Sequence, residues 1–356
     1  MLKKLFCCFF FLFTNILVIA QTPQKTVIAV RGDGVYSILR KNGIAPTKYF
    51  KEFIKLNKKN LKPNNGLLIG KSYILPRIEK DSIINTIKPA VIVSIPKETT
   101  QKPIDTMIPI EKVNNPVFGK KYNPVAIENK KLKGAIYYLI SGHGGPDPGA
   151  TETYNGKLIS EDEYAYDVTL RLARMLISHG AKVYIIIKDK NDGIRDGKIL
   201  EVDYDEFCYP ENTIPRNQKL RLRQRTKAVN NLYLKHKGAY QRLIVTHVDS
   251  RSKSKNIDVF FYHHINSKSG KRLAENIHNS FKEKYTEHQP NRVYAGTVSS
   301  RGLYLIKNTL PAMVYIELGN IKNKKDQKRI LNFENREALA NWIHNGLLAD
   351  YDESGN

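Results

Sequence analysis

The chain contains 356 residues and carries a formal net charge of +24, because 58 Lys and Arg residues outnumber 34 Asp and Glu residues. This length suggests about two domains, at roughly 100–200 residues per domain. Hydrophobic residues make up 41% and charged residues 26%, which excludes wholesale disorder and a protein of many membrane spans. Three cysteines cannot build a disulfide framework. The excess of basic residues predicts an anionic partner, whether a nucleic acid, lipid headgroups or an acidic wall polymer.

The first 20 residues have the composition of a secretory signal peptide. Two lysines precede an apolar run over residues 5–19, and the small residue Ala20 follows it. An uncleaved membrane anchor is the alternative, but the run contains two polar residues and is short for a span of about 20 residues. Cleavage after Ala20 would leave a net charge of +22, Cys208 as the single cysteine and no permanent membrane anchor. We therefore expect an exported protein of the periplasm or cell wall, which argues against nucleic acid as the natural partner.

Residues 26–76 have the pattern of a small βααβ unit. β-prone residues over 26–30 precede helical patterns over 35–41 and 48–56, and a second strand pattern covers 67–75. The segments 30–38, 56–57 and 68–76 resemble a LysM domain, which is a glycan-binding module with this order of elements.

The LysM resemblance implies that a groove around Gly32, Asp33 and Asn57 holds chains containing N-acetylglucosamine. One departure from the family pattern is Gly34, where threonine is more common. A generic α+β unit without glycan affinity is the alternative interpretation of this segment.

Residues 77–132 have the composition of a linker. They hold six of the 16 prolines and many Lys, Thr and Asn residues. Proline at such intervals interrupts helices and removes hydrogen-bond donors from sheets. We therefore expect a semi-extended spacer between two domains.

Residues 133–349 alternate strand and helix patterns. This alternation predicts an α/β domain with a mostly parallel, twisted sheet and helices on both faces. The clearest predicted strands cover 135–141, 182–187, 243–246, 259–262 and 313–316, and predicted helices include 273–281 and 336–348. Because functional groups gather at the C-terminal ends of such strands, the strand ends are where a site is expected.

Two histidines and a glutamate follow three of these apolar strands. His143 stands between glycines after the first strand, His247 follows 243–246, and Glu317 follows 313–316. Singly, each histidine is more often a hydrogen-bonded turn residue than a metal ligand. Together, imidazoles and carboxylates at one sheet edge match a zinc site with three protein ligands and an open fourth position. A carboxylate at the end of an apolar strand would also be costly to bury without a cation or a function.

The third ligand is expected among the acids at the start of the helix that follows His143. Ser160 and Glu163 have the spacing of a capping box, which would give Glu163 a structural role. Glu161 is then the acid that is left to bind a metal. Asp162 is the weakest candidate.

Five stretches of this region resemble the zinc-dependent N-acetylmuramoyl-L-alanine amidases of the Amidase_3 type. They are residues 142–150, 161 with 170–173, 222–230, 244–247, and 303–306 with 311–320. The resemblance implies that His143, Glu161 and His247 ligate one Zn²⁺, that Glu317 is the catalytic acid and base, and that residues 303–306 form a strand. It also implies peptidoglycan as the substrate, with zinc-activated water cleaving the amide between N-acetylmuramic acid and L-alanine. Whether a protein activator is needed stays open.

Some positions depart from the family pattern or are not explained by it. Asn320 replaces a frequent aromatic residue, and we expect it to contact the substrate. His263, at the end of the strand over 259–262, is a second candidate for substrate binding, although a solvent-facing strand end is the simpler interpretation. Residues 189–219 form an acidic insertion of about 30 residues, longer than an ordinary connection. It is either a surface loop or a segment that gates the site or contacts the stem peptide.

The sequence leaves three functions in competition. An exported amidase agrees with the fold pattern, the strand-end residues and the glycan-binding module. A zinc peptidase of another bond specificity would use the same site. A non-catalytic peptidoglycan-binding protein would need only the LysM-like unit.

Overall fold

A computed structural model of the chain describes residues 25–29, 34–44, 46–62, 66–77, 111–250 and 258–355. The predicted signal peptide, Gly32 and Asp33 of the expected glycan groove, and most of the predicted linker lie outside these residues. The chain divides into two compact units, one within residues 1–102 and one within residues 103–356. No helix among the described residues combines the length and the apolarity that crossing a lipid bilayer requires.

The first unit has the βααβ order that the sequence predicts. Its elements are β1 (Thr26–Ile28), α1 (Val35–Lys41), α2 (Pro46–Asn57) and β2 (Ser72–Ile74). The two strands pair antiparallel. Apolar side chains from both helices and from β2 form the core, among them Val35, Ile38, Leu39, Tyr49, Phe53 and Tyr73.

Asn57 ties α2 to β2 and does not line an open groove. Its side chain is buried, and its Nδ2 donates to the carbonyl oxygens of Phe53 and Ile74, each at 2.8 Å. Its Oδ1 accepts from the backbone N–H of Ile74 at 2.8 Å. The Asn57 amide therefore has a structural role, because it satisfies backbone groups that would otherwise be buried without partners, and its glycan contact stays a prediction.

The second unit begins earlier than the composition suggests. Strands β3 (Lys112–Val113) and β4 (Val125–Ala126) pair antiparallel, with a short 3₁₀ turn between them. Phe118, Val125 and Leu132 are buried in the main core of this unit. The predicted linker boundary at residue 132 is thus wrong for residues 111–132. Their apolar side chains are too few to show the periodicity of a strand or a helix. The prolines and lysines therefore predicted a linker.

The main body of the second unit alternates strands and helices. The strands are β5 (Ile136–Ser141), β6 (Thr151–Tyr154), β7 (Lys157–Ser160), β8 (Lys182–Ile185), β9 (Ile187–Lys188), β10 (Phe207–Cys208), β11 (Asn212–Thr213), β12 (Gln241–Asp249), β13 (Phe260–His263), β14 (Thr297–Ser300) and β15 (Ala312–Asn320). The helices are α3 (Glu161–Ser178), α4 (Gln218–Lys235), α5 (Lys268–His288), α6 (Tyr304–Asn308), α7 (Lys324–Leu331) and α8 (Phe333–Glu353).

Six of these strands form the central sheet in the order β14-β13-β15-β12-β5-β8. Every neighbouring pair is parallel except β13 and β15, which run antiparallel. The predicted mostly parallel α/β sheet is therefore confirmed as a mixed sheet with one antiparallel junction. The three strands β5, β12 and β15 lie side by side in its middle, so their C-terminal ends meet at one edge.

Helices cover both faces of the sheet because the central strands are apolar on both sides. In β5, Tyr137 and Leu139 pack in the cluster that includes α3, α5 and α8. The alternate residues Tyr138 and Ile140 pack in the cluster that includes α4 and α6. This two-sided burial is the expected arrangement for parallel strands.

Residues 303–306 do not form the strand that the family resemblance implies. They lead into the short helix α6, in which Leu305 and Ile306 are buried against the α4 side of the sheet. The edge strand of this region is β14, at Thr297–Ser300. A short apolar run is compatible with either a buried strand or a buried helix turn, so its pattern could not decide.

Candidate active site

The loop after β5 presents His143 at the C-terminal edge of the sheet. His143 has a φ of 60°, a left-handed conformation that is uncommon for a residue with a side chain. Its carbonyl oxygen accepts a hydrogen bond from the guanidinium of Arg225. Its Nδ1 lies 3.0 Å from Oδ2 of Asp147, which leaves Nε2 as the atom that faces the site.

His247 lies near the end of β12, beside the loop that contains His143. The two imidazole rings meet edge to face, with centroids 5.0 Å apart. The His247 ring also stacks on Tyr315 of β15, with centroids 4.5 Å apart and an angle of 15° between the planes. The ring is thus held between two neighbouring strands.

Glu161, the first residue of α3, joins the two imidazoles. Its Oε2 lies 3.3 Å from Nε2 of His143, and its Oε1 lies 2.7 Å from Nδ1 of His247. The backbone N–H groups of Ala150 and Val248 donate to the same carboxylate, each at 3.0 Å. Four contacts therefore fix a carboxylate that is 5% exposed.

The predicted capping box at the start of α3 is not formed. The Ser160 hydroxyl donates to Oδ1 of Asp162 at 2.5 Å instead of accepting from the helix. Glu163 pairs with Arg195 at 2.7 Å and accepts from the backbone N–H of Asp203 at 3.1 Å. Both partners of Glu163 come from the insertion, so its role depends on contacts that local sequence spacing does not reveal.

The three predicted ligands have the geometry and chemistry of a metal site. One donor atom from each of His143, Glu161 and His247 lies within 4.8 Å of the others. Two imidazole nitrogens and one carboxylate oxygen are typical donors of catalytic zinc. The backbone leaves room for this group: a Cβ on Gly142 would collide with the His247 ring, and one on Gly149 would lie 2.7 Å from Oε2 of Glu161. These residues fit a zinc ion.

Burial and hydrogen bonding set the charges of these groups. Burial lowers the pKa of His247 below its ordinary value, in spite of its hydrogen bond with Glu161. Burial acts in the same direction on His143, but its hydrogen bonds with Asp147 and Glu161 prevail and raise its pKa to about 10. Burial alone would raise the pKa of Glu161, yet its hydrogen bonds with both histidines lower it. Glu161 therefore carries the negative charge that a bound cation would neutralise.

Glu317 lies on β15 at the same level as His247. The two residues are paired in the register between β12 and β15, where neighbouring backbones are about 4.8 Å apart. Tyr315 is two residues earlier in the strand and so on the same face of the sheet. Burial, and then the charge of Glu317, raise the pKa of Tyr315 well above its usual range. Glu317, Tyr315 and His247 thus form one contiguous group.

Three residues that position His143 received no role from the sequence. The Asp147 carboxylate contacts His143 and also pairs with Arg221. Arg225 is 3% exposed, and burial lowers its pKa to about 10. Arg221 and Arg225 are four residues apart and so share one face of α4. That spacing was the available signal, but it also occurs on ordinary charged helices.

The structure does not bring Asn320 or His263 to this group. Asn320 is fully buried, and its Oδ1 accepts from the backbone N–H of Lys322 at 3.0 Å. β13 runs antiparallel to β15 with Phe260 opposite Glu317, so the C-terminal residue His263 lies toward the opposite edge of the sheet. The Asn320 side chain closes a turn, and His263 ends a strand that runs opposite to β15, so their substrate contacts stay predictions without support from this geometry.

The insertion packs beside the His143 loop. Oε2 of Glu206 accepts from the backbone N–H of Gly145 at 2.6 Å, and a Cβ on Gly145 would meet Ile214 at 2.9 Å. Phe207–Cys208 pairs antiparallel with Ile187–Lys188, which makes the insertion part of a small sheet. Residues 189–219 are therefore not merely a surface loop.

Comparisons with known proteins identify the family that the chain matches. A family model described as Amidase_3, N-acetylmuramoyl-L-alanine amidase, matches residues 138–349. The germination-specific N-acetylmuramoyl-L-alanine amidase of Bacillus subtilis is 26% identical over 230 residues, which cover 63% of this chain and 83% of that protein.

Solved structures of amidases are also similar to the chain. The CwlD amidase of Clostridioides difficile, solved in complex with the GerS lipoprotein, is 20% identical with a TM-score of 0.45, covering 61% of this chain and 98% of that one. The catalytic domain of CwlV from Bacillus (Paenibacillus) polymyxa var. colistinus is 18% identical with a TM-score of 0.44, covering 61% of this chain and 98% of that one.

Proposed function

Because the chain belongs to the Amidase_3 family of N-acetylmuramoyl-L-alanine amidases, we propose that it is an exported, zinc-dependent peptidoglycan amidase. Its substrate bond would be the amide between the lactyl carbonyl of N-acetylmuramic acid and L-alanine of the stem peptide. The observation that carries this proposal is the convergence of His143, Glu161 and His247, with Glu317 on the next strand.

His143, Glu161 and His247 would hold one zinc ion. When bound, zinc would polarise the scissile carbonyl and lower the pKa of water. Asp147 acts on His143 from the far side of the ring: its carboxylate at Nδ1 orients Nε2 toward Glu161. Such outer carboxylates typically fix the tautomer and the orientation of a ligating histidine.

Glu317 would move the proton in this reaction. As general base it takes a proton from the water whose oxygen attacks the lactyl carbonyl. As general acid it then gives this proton to the nitrogen of L-alanine as the carbon–nitrogen bond breaks. Its position in register with His247 supports this role, because a carboxylate there would lie beside the three ligands without being one of them.

The first unit would hold the enzyme on the wall. Its described elements have the β-α-α-β order of the LysM modules that its sequence resembles. A glycan-bound module raises the effective concentration of a tethered catalytic domain near its substrate. The net charge of +24 acts in the same direction, because peptidoglycan stem peptides carry carboxylates.

Digestion of purified peptidoglycan with mass analysis of the products tests the enzymatic proposal. We expect stem peptides with a free L-alanine amine, loss of activity in chelator and recovery with added zinc. Glu317→Gln should retain zinc and lose about 10²–10⁴-fold in rate, the usual contribution of a general acid–base group. Glu275→Gln, an exposed change on α5, is the matched control. Products cut within the stem peptide would identify a peptidase instead, and no products at any zinc concentration would leave only a binding protein.

Retention on insoluble wall tests the role of the first unit. Removing residues 26–76 should reduce binding to sacculi and digestion of them, while the rate on soluble muropeptides stays unchanged. Equal retention with and without these residues would contradict the glycan-binding role.

A further inference from the structure

A second group of carboxylates lies next to the proposed zinc ligands and is not used by them. Asp162 and Glu163 directly follow Glu161 on α3, and Glu206 comes from the insertion. One carboxylate oxygen from each of these three residues lies within 4.8 Å of the others. They are 1%, 2% and 6% exposed, respectively. Three carboxylates so close together and so deeply buried can all be ionised only if something positive lies between them.

One oxygen of this group is left over when the hydrogen bonds are assigned. Oδ1 of Asp162 accepts from the Ser160 hydroxyl at 2.5 Å and from the backbone N–H of Glu163 at 3.0 Å. Its Oδ2 is buried and has no hydrogen-bond partner among the residues that the structure describes. An ionised carboxylate can only accept, and an orphaned buried acceptor costs the free energy of its desolvation. The spare oxygen of Asp162 therefore points to a ligand that is not part of the chain.

The surroundings of this group are also acidic. Asp189, Asp203 and Asp205 bring a further set of carboxylate oxygens within 4.8 Å of one another. This set adjoins the first, because the backbone N–H of Asp203 donates to Glu163 at 3.1 Å. Within the described part of the chain, Arg195 is the one basic side chain that forms an ion pair with any of these six acids. A protein with net charge +24 thus concentrates negative charge here.

We propose that Asp162, Glu163 and Glu206 bind a divalent cation of the calcium type. The available donors are all oxygens, with no imidazole or thiolate among the three, which disfavours zinc and other borderline or soft metals. Calcium accepts six to eight oxygen ligands in flexible geometry, whereas magnesium demands a nearly ideal octahedron. A group assembled from a helix start and a long insertion fits the less demanding ion.

The cation would connect two parts of the catalytic centre. Glu206 already holds the backbone N–H of Gly145, two residues after His143. Asp162 and Glu163 are fixed to the helix turn that begins with Glu161. A cation between them would tie the insertion to the His143 loop and to the start of α3 at the same point.

Calcium titration of the zinc-loaded full chain tests this inference. We expect saturable one-to-one binding by calorimetry and a higher thermal unfolding temperature with calcium, with a Kd in the range of extracellular calcium modules, about 10⁻⁴–10⁻³ M. Asp162→Asn and Glu206→Gln should each weaken calcium binding about tenfold or more, because each removes a charged ligand. Glu211→Gln removes an exposed acid of the same insertion and should bind calcium like the unsubstituted chain.

Two results would overturn the proposal. One is the absence of calcium binding and of any thermal shift up to about 10 mM, well above the weak end of that range. The other is unchanged calcium affinity in both Asp162→Asn and Glu206→Gln, each checked for folding by circular dichroism. Zinc content and amidase activity are measured on the same samples. An active, zinc-loaded enzyme that binds no calcium would contradict the calcium site and leave the proposed amidase function intact.

Discussion

Gly149→Ala tests whether zinc binding depends on the absence of a side chain at position 149, beside the three proposed ligands. Gly149 has a φ of +70°, and a Cβ there would lie 2.7 Å from Oε2 of Glu161 and from ring atoms of His143. Gly156 has a φ of +77°, but a Cβ there would meet no atom within 4 Å. Gly156→Ala is therefore a matched control that introduces the same backbone strain without the collision.

The expected magnitude follows from these distances. Each substitution places alanine in a left-handed conformation, at a cost of about 1–2 kcal/mol in folding free energy. At position 149, the new Cβ would lie 2.7 Å from the ligand atoms, whereas an ordinary van der Waals contact is about 3.5 Å. The ligand atoms would therefore have to move by about 0.8 Å. Metal–ligand distances tolerate only about 0.2 Å. We therefore expect Gly149→Ala to misplace Glu161, His143 or both, and to weaken zinc binding by more than about 100-fold.

Zinc affinity is measured by competition with a chromophoric chelator, alongside thermal unfolding of the metal-free proteins. Both variants should lose similar thermal stability, and Gly149→Ala alone should lose zinc affinity and amidase activity. Zinc affinities that agree within a few-fold between Gly149→Ala and Gly156→Ala would refute the assignment of this loop as part of a metal cradle.

Two further predictions concern charge. Asp147→Asn should weaken zinc binding about 10–100-fold, because it removes the carboxylate that orients His143; chelator competition would contradict this if the affinity stays unchanged. Burial, with smaller contributions from His179 and Lys131, lowers the pKa of His344 to about 3. The unfolded chain takes up this proton below about pH 6.5, so the unfolding free energy should fall by about 2 kcal/mol between pH 8 and pH 5. Denaturant unfolding of His344→Gln should lack this part of the decline, and an identical decline in both proteins would contradict the argument.

The central strands and the convergence of His143, Glu161 and His247 were predictable from sequence because their signals are local. An apolar run that ends in a histidine or a glutamate predicts a buried strand, and it also predicts that the polar residue lies at the C-terminal end of that strand. Parallel neighbours then bring those ends together, as His247 and Glu317 show. The same reasoning failed for His263, since nothing in the pattern of residues 259–262 reveals that β13 runs in the opposite direction.

Contacts between distant segments explain most of the remaining differences. Glu163 has the spacing of a capping residue, but the structure gives its carboxylate to Arg195. Phe118 lies in a proline-containing segment with no periodic pattern, yet it is fully buried. In both cases a partner far along the chain outweighs the local preference, and one sequence contains no record of that partner.

Two buried arginines hold part of the insertion, residues 195–197, against α3 and α8. Arg171 of α3 is 1% exposed and donates to the backbone carbonyl of Arg195 at 2.9 Å. Arg336 of α8 is fully buried and donates to the carbonyls of Arg195 and Gly197 at 2.8 and 2.9 Å. Opening this part of the insertion would break those three hydrogen bonds, while Asp167 would stay paired with both guanidinium groups. We therefore expect the insertion to affect catalysis through the way it fixes the helix that begins with Glu161.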